Sequence, residues 1–372
     1  MKLGLALSGG GFRASFFHIG VLANLAETGK LKQIEVISTV SGGSIVGAMY
    51  YVKLKKLLDS GPSATDEQLV SLIQELEVEF LAGVQKNIRM RAFINPLKNL
   101  RMSLANYSRS DRLAELYDEL FYRPVLNPDS NTMIKMRDLK IAPNGKKVKP
   151  VEYNKTIASD NCKLPIILIN STSLNSGHNW RFEASRMGEA EHISKEMLMI
   201  DKNSRFSRPD KYADMPEGSA NIKLGHAVAA SACVPGLFNP LAISDLYKDI
   251  RIQLVDGGVH DNQGIEALID KGCDEIIISD ASGQMGNELE PSAHIPQVVG
   301  RSNSILMDRV REEELKEPLS NHNRKKPMFL HLRKGLTSKK ISYINEQKPS
   351  EPNDDQSQLF GVHPDIQNAL SN

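Results

Sequence analysis

Three short motifs in this sequence carry residue types suited to chemistry. Ser8-Gly9-Gly10-Gly11-Phe12-Arg13 is a glycine-rich turn placed directly before an apolar helical pattern. Glycine lets the chain reverse sharply and lets backbone N–H groups face a ligand. The following helix adds the positive end of its dipole. Such a loop makes an anion or oxyanion cradle. Thr39-Val40-Ser41-Gly42-Gly43 sets a serine on a strand-to-helix turn, where its Oγ projects above the sheet as a nucleophile. Thr39 stands where the usual G-x-S-x-G pattern has its first glycine. Leu254-Val255-Asp256-Gly257-Gly258 puts an acid at the carboxyl end of a buried strand, where open α/β sheets hold catalytic groups.

Each motif has a plain structural reading: a tight turn, a serine N-cap, an Asp-Gly turn. All three sit at the carboxyl ends of predicted parallel strands, hence on one rim of one sheet. Two rivals use the same glycine physics. A dinucleotide fold wants G-x-G-x-x-G and an acid at the end of the second strand. Here Ala14 and Thr39-Val40-Ser41 stand in those places. A P-loop wants G-K-[ST], which the cradle lacks. Ser44 competes with Ser41 as nucleophile, but it sits one turn into the helix and has Val46, not glycine, two places on. His260 lies four residues after Asp256 and reads as a helix-start or surface histidine.

The elements that must position these residues follow from hydrophobic periodicity. Leu3–Ser8 reads as a buried strand, Arg13 to about Thr28 as a helix, Glu35–Val40 as a second strand and Gly42–Leu58 as a second helix. Strand–helix–strand–helix implies a sheet that begins parallel, with right-handed crossovers. Thr65 with Gln68 forms a capping box before the run Leu69–Phe80, and Ser110 precedes another amphipathic helix. Pro165–Asn170, Trp180–Glu183, Ile252–Val255, Glu275–Ser279 and Met328–Leu332 read as strands. Lys223–Cys233 and a segment near 297–315 read as helices, and 200–222 as a long loop.

Of the 372 residues 40% are hydrophobic and 24% charged, a globular balance with material for a large core. The net charge of +1 names no nucleic-acid partner. Cys162, Cys233 and Cys273 are scattered and odd in number, so neither a disulfide framework nor a zinc site is expected, and a reducing compartment fits. Met1–Leu7 reads as a strand, not a signal peptide. No run of 18 apolar residues spans a membrane.

The order of the motifs resembles the patatin-like phospholipase family: a glycine-rich loop, a nucleophile elbow some thirty residues on, and a distant Asp-Gly-Gly. Ser8–Ala14 and Val40–Ser44 are most similar to the cytosolic phospholipase branch and to bacterial patatin-like proteins. Ile169-Asn170-Ser171-Thr172 and Ala229–Gly236 also look familial. The resemblance runs with gaps from about 3 to 335. It implies an α/β fold of three layers, a mostly parallel central sheet flanked by helices, with a helical insertion around 60–122. It implies a domain over 1–335 and a polar extension over 336–372.

The resemblance further implies a lipid acyl hydrolase with a Ser41–Asp256 dyad and no catalytic histidine. Backbone N–H groups of Gly9, Gly10, Gly11 and Gly42 would hold the oxyanion. Arg13 would steady the loop or meet a lipid phosphate. No cofactor and no metal are expected. The expected partners are a lipid substrate and a peripheral membrane surface, with no nucleic acid, in a cytoplasmic protein. The alternatives are a neutral-lipid esterase or thioesterase and a non-catalytic lipid-binding regulatory protein. Residues 81–110 interleave Lys86, Arg89, Arg91, Lys98, Arg101 and Arg109 with apolar residues and no acid. That segment suits either a membrane-docking lid or a half-buried helix over the rim. The sequence stops at Pro364–Asn372 within a helical pattern, which suggests a longer native chain.

Overall fold

The computed structural model describes residues 2–332, apart from 62, 89, 92–106, 159, 191–205, 207, 210, 283–287, 289 and 321–326. In chain order, the first half supplies β1 (Leu3–Leu7), α1 (Gly11–Glu27), β2 (Ile34–Val40), α2 (Gly42–Ser60), α3 (Asp66–Val84) and α4 (Arg109–Tyr117). Then come β3 (Ile166–Ser173), β4 (Asn179–Phe182), β5 (Met187–Glu189) and α5 (Leu224–Ala232). The last part supplies β6 (Leu241–Tyr247), β7 (Ile250–Asp256), α6 (Ile265–Asp270), β8 (Glu275–Asp280), α7 (Ile295–Ser320) and β9 (Met328–His331).

The sheet runs β5-β4-β3-β2-β1-β8-β9. β3, β2, β1, β8 and β9 are mutually parallel. Helices cover both faces, so the central strands read as near-continuous apolar runs: Leu5, Ala6 and Leu7 of β1 are fully buried. α1 buries Ala14, Leu22, Leu25 and Ala26 along one stripe against the sheet. α3 starts at the expected capping box: the Gln68 N–H donates to Thr65 Oγ1 at 3.3 Å, and the Thr65 N–H donates to Gln68 Oε1 at 2.9 Å. Its Phe80 packs on Phe16 and stacks on Phe121, which ties the helical insertion to α1. α4 is capped by Ser108, not Ser110, because Ser108 and Asp111 form the reciprocal box. Ser110 is buried and donates to the Asn239 carbonyl. Most of 81–110 lies outside the described residues, as does the extension over 336–372.

One strand runs against expectation. The strand carrying Asp256 is not parallel. β6 and β7 form an antiparallel hairpin, and β7 pairs antiparallel with the end of β3. The cause is a length mismatch. β2 pairs with Ile166–Asn170 only, so the last three residues of β3, Ser171–Ser173, project beyond it. β7 fills that space from the opposite direction, with Asp256 opposite Ser171. β2 and β7 therefore meet end to end along one edge of β3. The residue after Val40 and the last residue of β7 face each other.

Candidate active site

Ser41 occupies the turn between β2 and α2 at φ 50, ψ −118. A non-glycine residue in that region costs about 1–3 kcal/mol and persists only when its surroundings impose it. Here they do. The Ser41 N–H donates to Ser231 Oγ on α5 at 3.0 Å. Gly42 and Gly43 allow contacts no side chain permits: a Cβ on Gly42 would lie 2.0 Å from the Gly11 carbonyl oxygen, and one on Gly43 2.3 Å from that of Leu7. Thr39, which replaces the first elbow glycine, donates to the Leu168 carbonyl at 3.0 Å and pins β2 to β3. Ser44 is spent on the same scaffold. Its Oγ lies 2.9 Å from Thr39 Oγ1 and 2.8 Å from Ser231 Oγ, fully buried.

Asp256 reaches the site from the other side. Its N–H donates to the Cys233 carbonyl at 3.1 Å, and its Oδ1 accepts from the Gly258 N–H at 2.8 Å. Burial pushes its carboxyl from 3.8 up to about 6, against smaller opposing pulls from the Ser41 hydroxyl and the Gly258 amide. Oδ2 is buried and takes no formed hydrogen bond among the described residues. The Ser41 hydroxyl is near enough to lower the pKa of this carboxyl. A carboxylate in this state is basic near neutral pH and has a free lone pair.

Gly10 and Gly11 adopt φ 137 and φ 68 and line the same cavity as Ser41 and Asp256. Gly11 and Gly42 open α1 and α2, so their N–H groups have no acceptor within the helix. Gly9 does not share that role: its N–H already donates to the Asn262 carbonyl at 2.9 Å. Arg13 is exposed and is not among the residues lining the cavity. His260 is likewise absent from the lining and lies 3.6 Å from Glu266.

The cavity holds about 440 Å³. Ser41, Asp256, Gly10 and Gly11 form its floor. Val234, Pro235 and Val259 make an apolar edge, and α7 contributes Asn303, Ser304, Met307, Asp308 and Arg311. With this order of strand, glycine loop, serine elbow and distant Asp-Gly-Gly, residues 5–269 match the family described as patatin-like phospholipase. The chain belongs to that family. Patatin-like phospholipases are serine lipid acyl hydrolases.

Among solved structures the chain is similar to human GIVD cytosolic phospholipase A2, at 14% identity and a TM-score of 0.34 over 62% of this chain and 27% of that one. It is also similar to VipD from Legionella pneumophila, at 14% identity and a TM-score of 0.32 over 100% of this chain and 66% of that one. It thus spans about a quarter of the human enzyme's length. A search among curated protein sequences gave no match.

Two residues that hold this patatin-like site together escaped the sequence reading. His18 is buried under the glycine loop. Its Nε2 donates to the Ser8 carbonyl at 2.9 Å, so its Nδ1 accepts from Ser279 Oγ at 2.7 Å. Burial lowers its pKa to about 4, so it stays neutral. With the Ala281 N–H donating to Ser8 Oγ at 2.8 Å, it fastens the loop to β8. Its signal was its place on the buried stripe Ala14, His18, Leu22, Leu25 of α1. Ser231, which holds the Ser41 amide, lay within the familial segment 229–236 but had no local mark of its own.

Proposed function

We propose that this patatin-like phospholipase cleaves acyl esters of glycerophospholipids through a Ser41–Asp256 dyad. The observation that carries the reading is the meeting, in one cavity, of a strained serine with a buried carboxyl of raised pKa whose Oδ2 takes no formed hydrogen bond among the described residues. Asp256 takes the proton as Ser41 Oγ attacks the ester carbonyl carbon. Amides of Gly10, Gly11 and Gly42 receive the oxyanion, and each such donor is typically worth about 3 kcal/mol in the transition state. The tetrahedral intermediate collapses as Asp256 returns its proton to the leaving alkoxide, releasing the lysolipid. Asp256 next deprotonates a water that attacks the acyl-enzyme. The fatty acid leaves and the Ser41 hydroxyl is restored.

Association with a lipid surface belongs to the same reading. Val234 and Val259 on the cavity edge are exposed, and α7 turns Ile295, Val299 and Leu306 to solvent. No helix among the described residues is long and apolar enough to cross a membrane.

A fluorophosphonate probe tests the assignment. Ser41 is expected to be labelled, with labelling and phospholipid hydrolysis both lost in Ser41→Ala and hydrolysis lost in Asp256→Asn. Adduct mass found on Ser44 in the wild type would refute the dyad.

A further inference from the structure

Asn262 stands where the glycine loop meets the turn that follows β7, and it lines the cavity with Ser41 and Asp256. Its carbonyl accepts the Gly9 N–H at 2.9 Å, which ties the two pieces of chain together. Its side chain lies between the same two pieces. A Cβ on Gly9 would stand 2.2 Å from Asn262 Oδ1 and 3.3 Å from Ser41 Cβ. One on Gly258 would stand 2.5 Å from Asn262 Oδ1 and 3.1 Å from Asp256 Oδ1. The amide fills the space that side chains at 9 and 258 would need, beside both the serine and the acid.

Backbone torsion does not explain these two glycines. Gly10 and Gly11 have positive φ, whereas Gly9 and Gly258 do not. What excludes a side chain at 9 and 258 is the Asn262 amide. That amide is held from behind. Asp261 is fully buried, and its Oδ1 accepts from the N–H groups of Gln263 and Gly264 at 3.0 and 2.6 Å, its Oδ2 from that of Glu266 at 2.9 Å. Gln263 is also fully buried and donates from Nε2 to Ser282 Oγ at 3.3 Å. With both neighbours fixed, the Asn262 side chain cannot retreat without undoing these bonds. Close-packed interiors transmit such displacements rather than absorb them. A shifted amide therefore moves Gly9, next to Gly10 on the oxyanion loop, and Gly258, whose N–H holds Asp256 Oδ1 at 2.8 Å.

We propose that Asn262 is a positioning residue for the hydrolysis: its amide is the spacer that keeps the oxyanion loop and the Asp256 carboxylate in register around Ser41. The proposal rests on the dyad reading above. It also accounts for Gly9, whose N–H is spent on the Asn262 carbonyl. Position 9 is glycine so that the spacer fits, not to supply a donor.

A double-mutant cycle between positions 9 and 262 tests this, with kcat and KM measured on dihexanoyl phosphatidylcholine kept monomeric so that surface binding plays no part. Gly9→Ala drives its methyl into the amide and is expected to lower kcat about 10²–10³-fold, the size of a lost oxyanion donor, while KM changes little. Asn262→Ala keeps the backbone bond to Gly9 but removes the spacer. It is expected to lower kcat on the order of ten- to a hundred-fold, again with little change in KM. In the double variant the methyl enters the vacated space, so Gly9→Ala costs no further kcat. An equal cost of Gly9→Ala in both backgrounds would overturn the spacer, because the methyl would then be meeting something else. So would a wild-type kcat in Asn262→Ala, or a loss in that variant carried by KM alone. Should Gly9→Ala not fold, the double variant still must, with the kcat of Asn262→Ala; a double variant that also fails to fold overturns the proposal. Fluorophosphonate labelling of Ser41 separates the two claims. A labelled wild type with full kcat in Asn262→Ala removes only the spacer, whereas an unlabelled wild type removes the dyad as well.

Discussion

Replacing Asp256 with asparagine should abolish activity and, above pH 6, make the folded protein more stable. The carboxyl is buried without a cation, and its pKa stands at about 6 against 3.8 in the unfolded chain. Below 3.8 both states hold the proton, and the group is neutral in each. Between 3.8 and 6 the unfolded chain releases its proton while the folded protein keeps it, so stability falls as pH rises. Above 6 both are ionised, and the full loss persists. At roughly 1.4 kcal/mol per pH unit, a gap of about two units makes this loss about 3 kcal/mol. Asparagine is neutral throughout and its Oδ1 still accepts from the Gly258 N–H, so it escapes the loss. Urea unfolding of both proteins from pH 4 to pH 8 checks this, because every other titrating group cancels in the difference. The asparagine variant should match the wild type at the acid end and exceed it by up to about 3 kcal/mol at pH 8. A difference that does not change with pH, or a variant less stable at pH 8, would show that Asp256 is not the strained, desolvated group described.

The same carboxyl predicts an acid limb in kcat/KM, with activity falling below pH about 6 as Asp256 takes up its proton; a limb near 4 would argue for a solvated base. Ser41→Gly and Ser41→Ala should both be inactive, with the glycine variant more stable by about 1 kcal/mol or more, because only glycine is relaxed at φ 50; thermal unfolding of the pair measures it. Gly42→Ala forces a Cβ to 2.0 Å from the Gly11 carbonyl oxygen, displacing the glycine loop, and should cut kcat by about 10²–10³ while substrate binding changes less. Val299→Glu with Leu306→Glu, both exposed on α7, should weaken binding to phospholipid vesicles at least roughly ten-fold, since each apolar side chain buried in lipid contributes about 1.5–3 kcal/mol; co-sedimentation reads the loss.

What could be read from the sequence was what is local. Gly10-Gly11, Ser41 and Asp256-Gly257 announce themselves because a positive φ, a close backbone approach or a strand end admits few residue types. The Thr65–Gln68 box and the parallel start of the sheet are local for the same reason. Ser108 was passed over for Ser110, since both precede the same apolar run and only the reciprocal bond to Asp111 decides between them. The direction of β7 was not legible. It depends on how far β3 outruns β2, a fact about pairing across more than a hundred residues. β6 pairs only with β7 and carries the alternating, half-polar pattern of an edge, so it left no apolar run to notice. α7 was visible as a helix near 297–315. That its polar face roofs the serine could not be seen, because periodicity reports a stripe and not what the stripe faces.

In the proposed dyad, the antiparallel entry of β7 would let one carboxylate serve without a histidine. In a purely parallel sheet, Ser41 and an acid at a neighbouring strand end would project side by side from the same rim, and a third group would be needed to span them. Here β2 and β7 converge tip to tip along β3. The serine and the acid then face each other across the gap between two strand ends, with Ser171 and Thr172 of β3 holding the seam: Ser171 Oγ donates to the Val255 carbonyl at 2.7 Å, and Thr172 Oγ1 to that of Asp256 at 3.0 Å. His18, the one fully buried histidine among the described residues, is spent on the Ser8 carbonyl and kept neutral by burial. Its hydrogen bonds hold the loop. Burial lifts the Asp256 carboxyl to about 6, which places the proposed base within reach of the pH at which it would both take a proton and give it back.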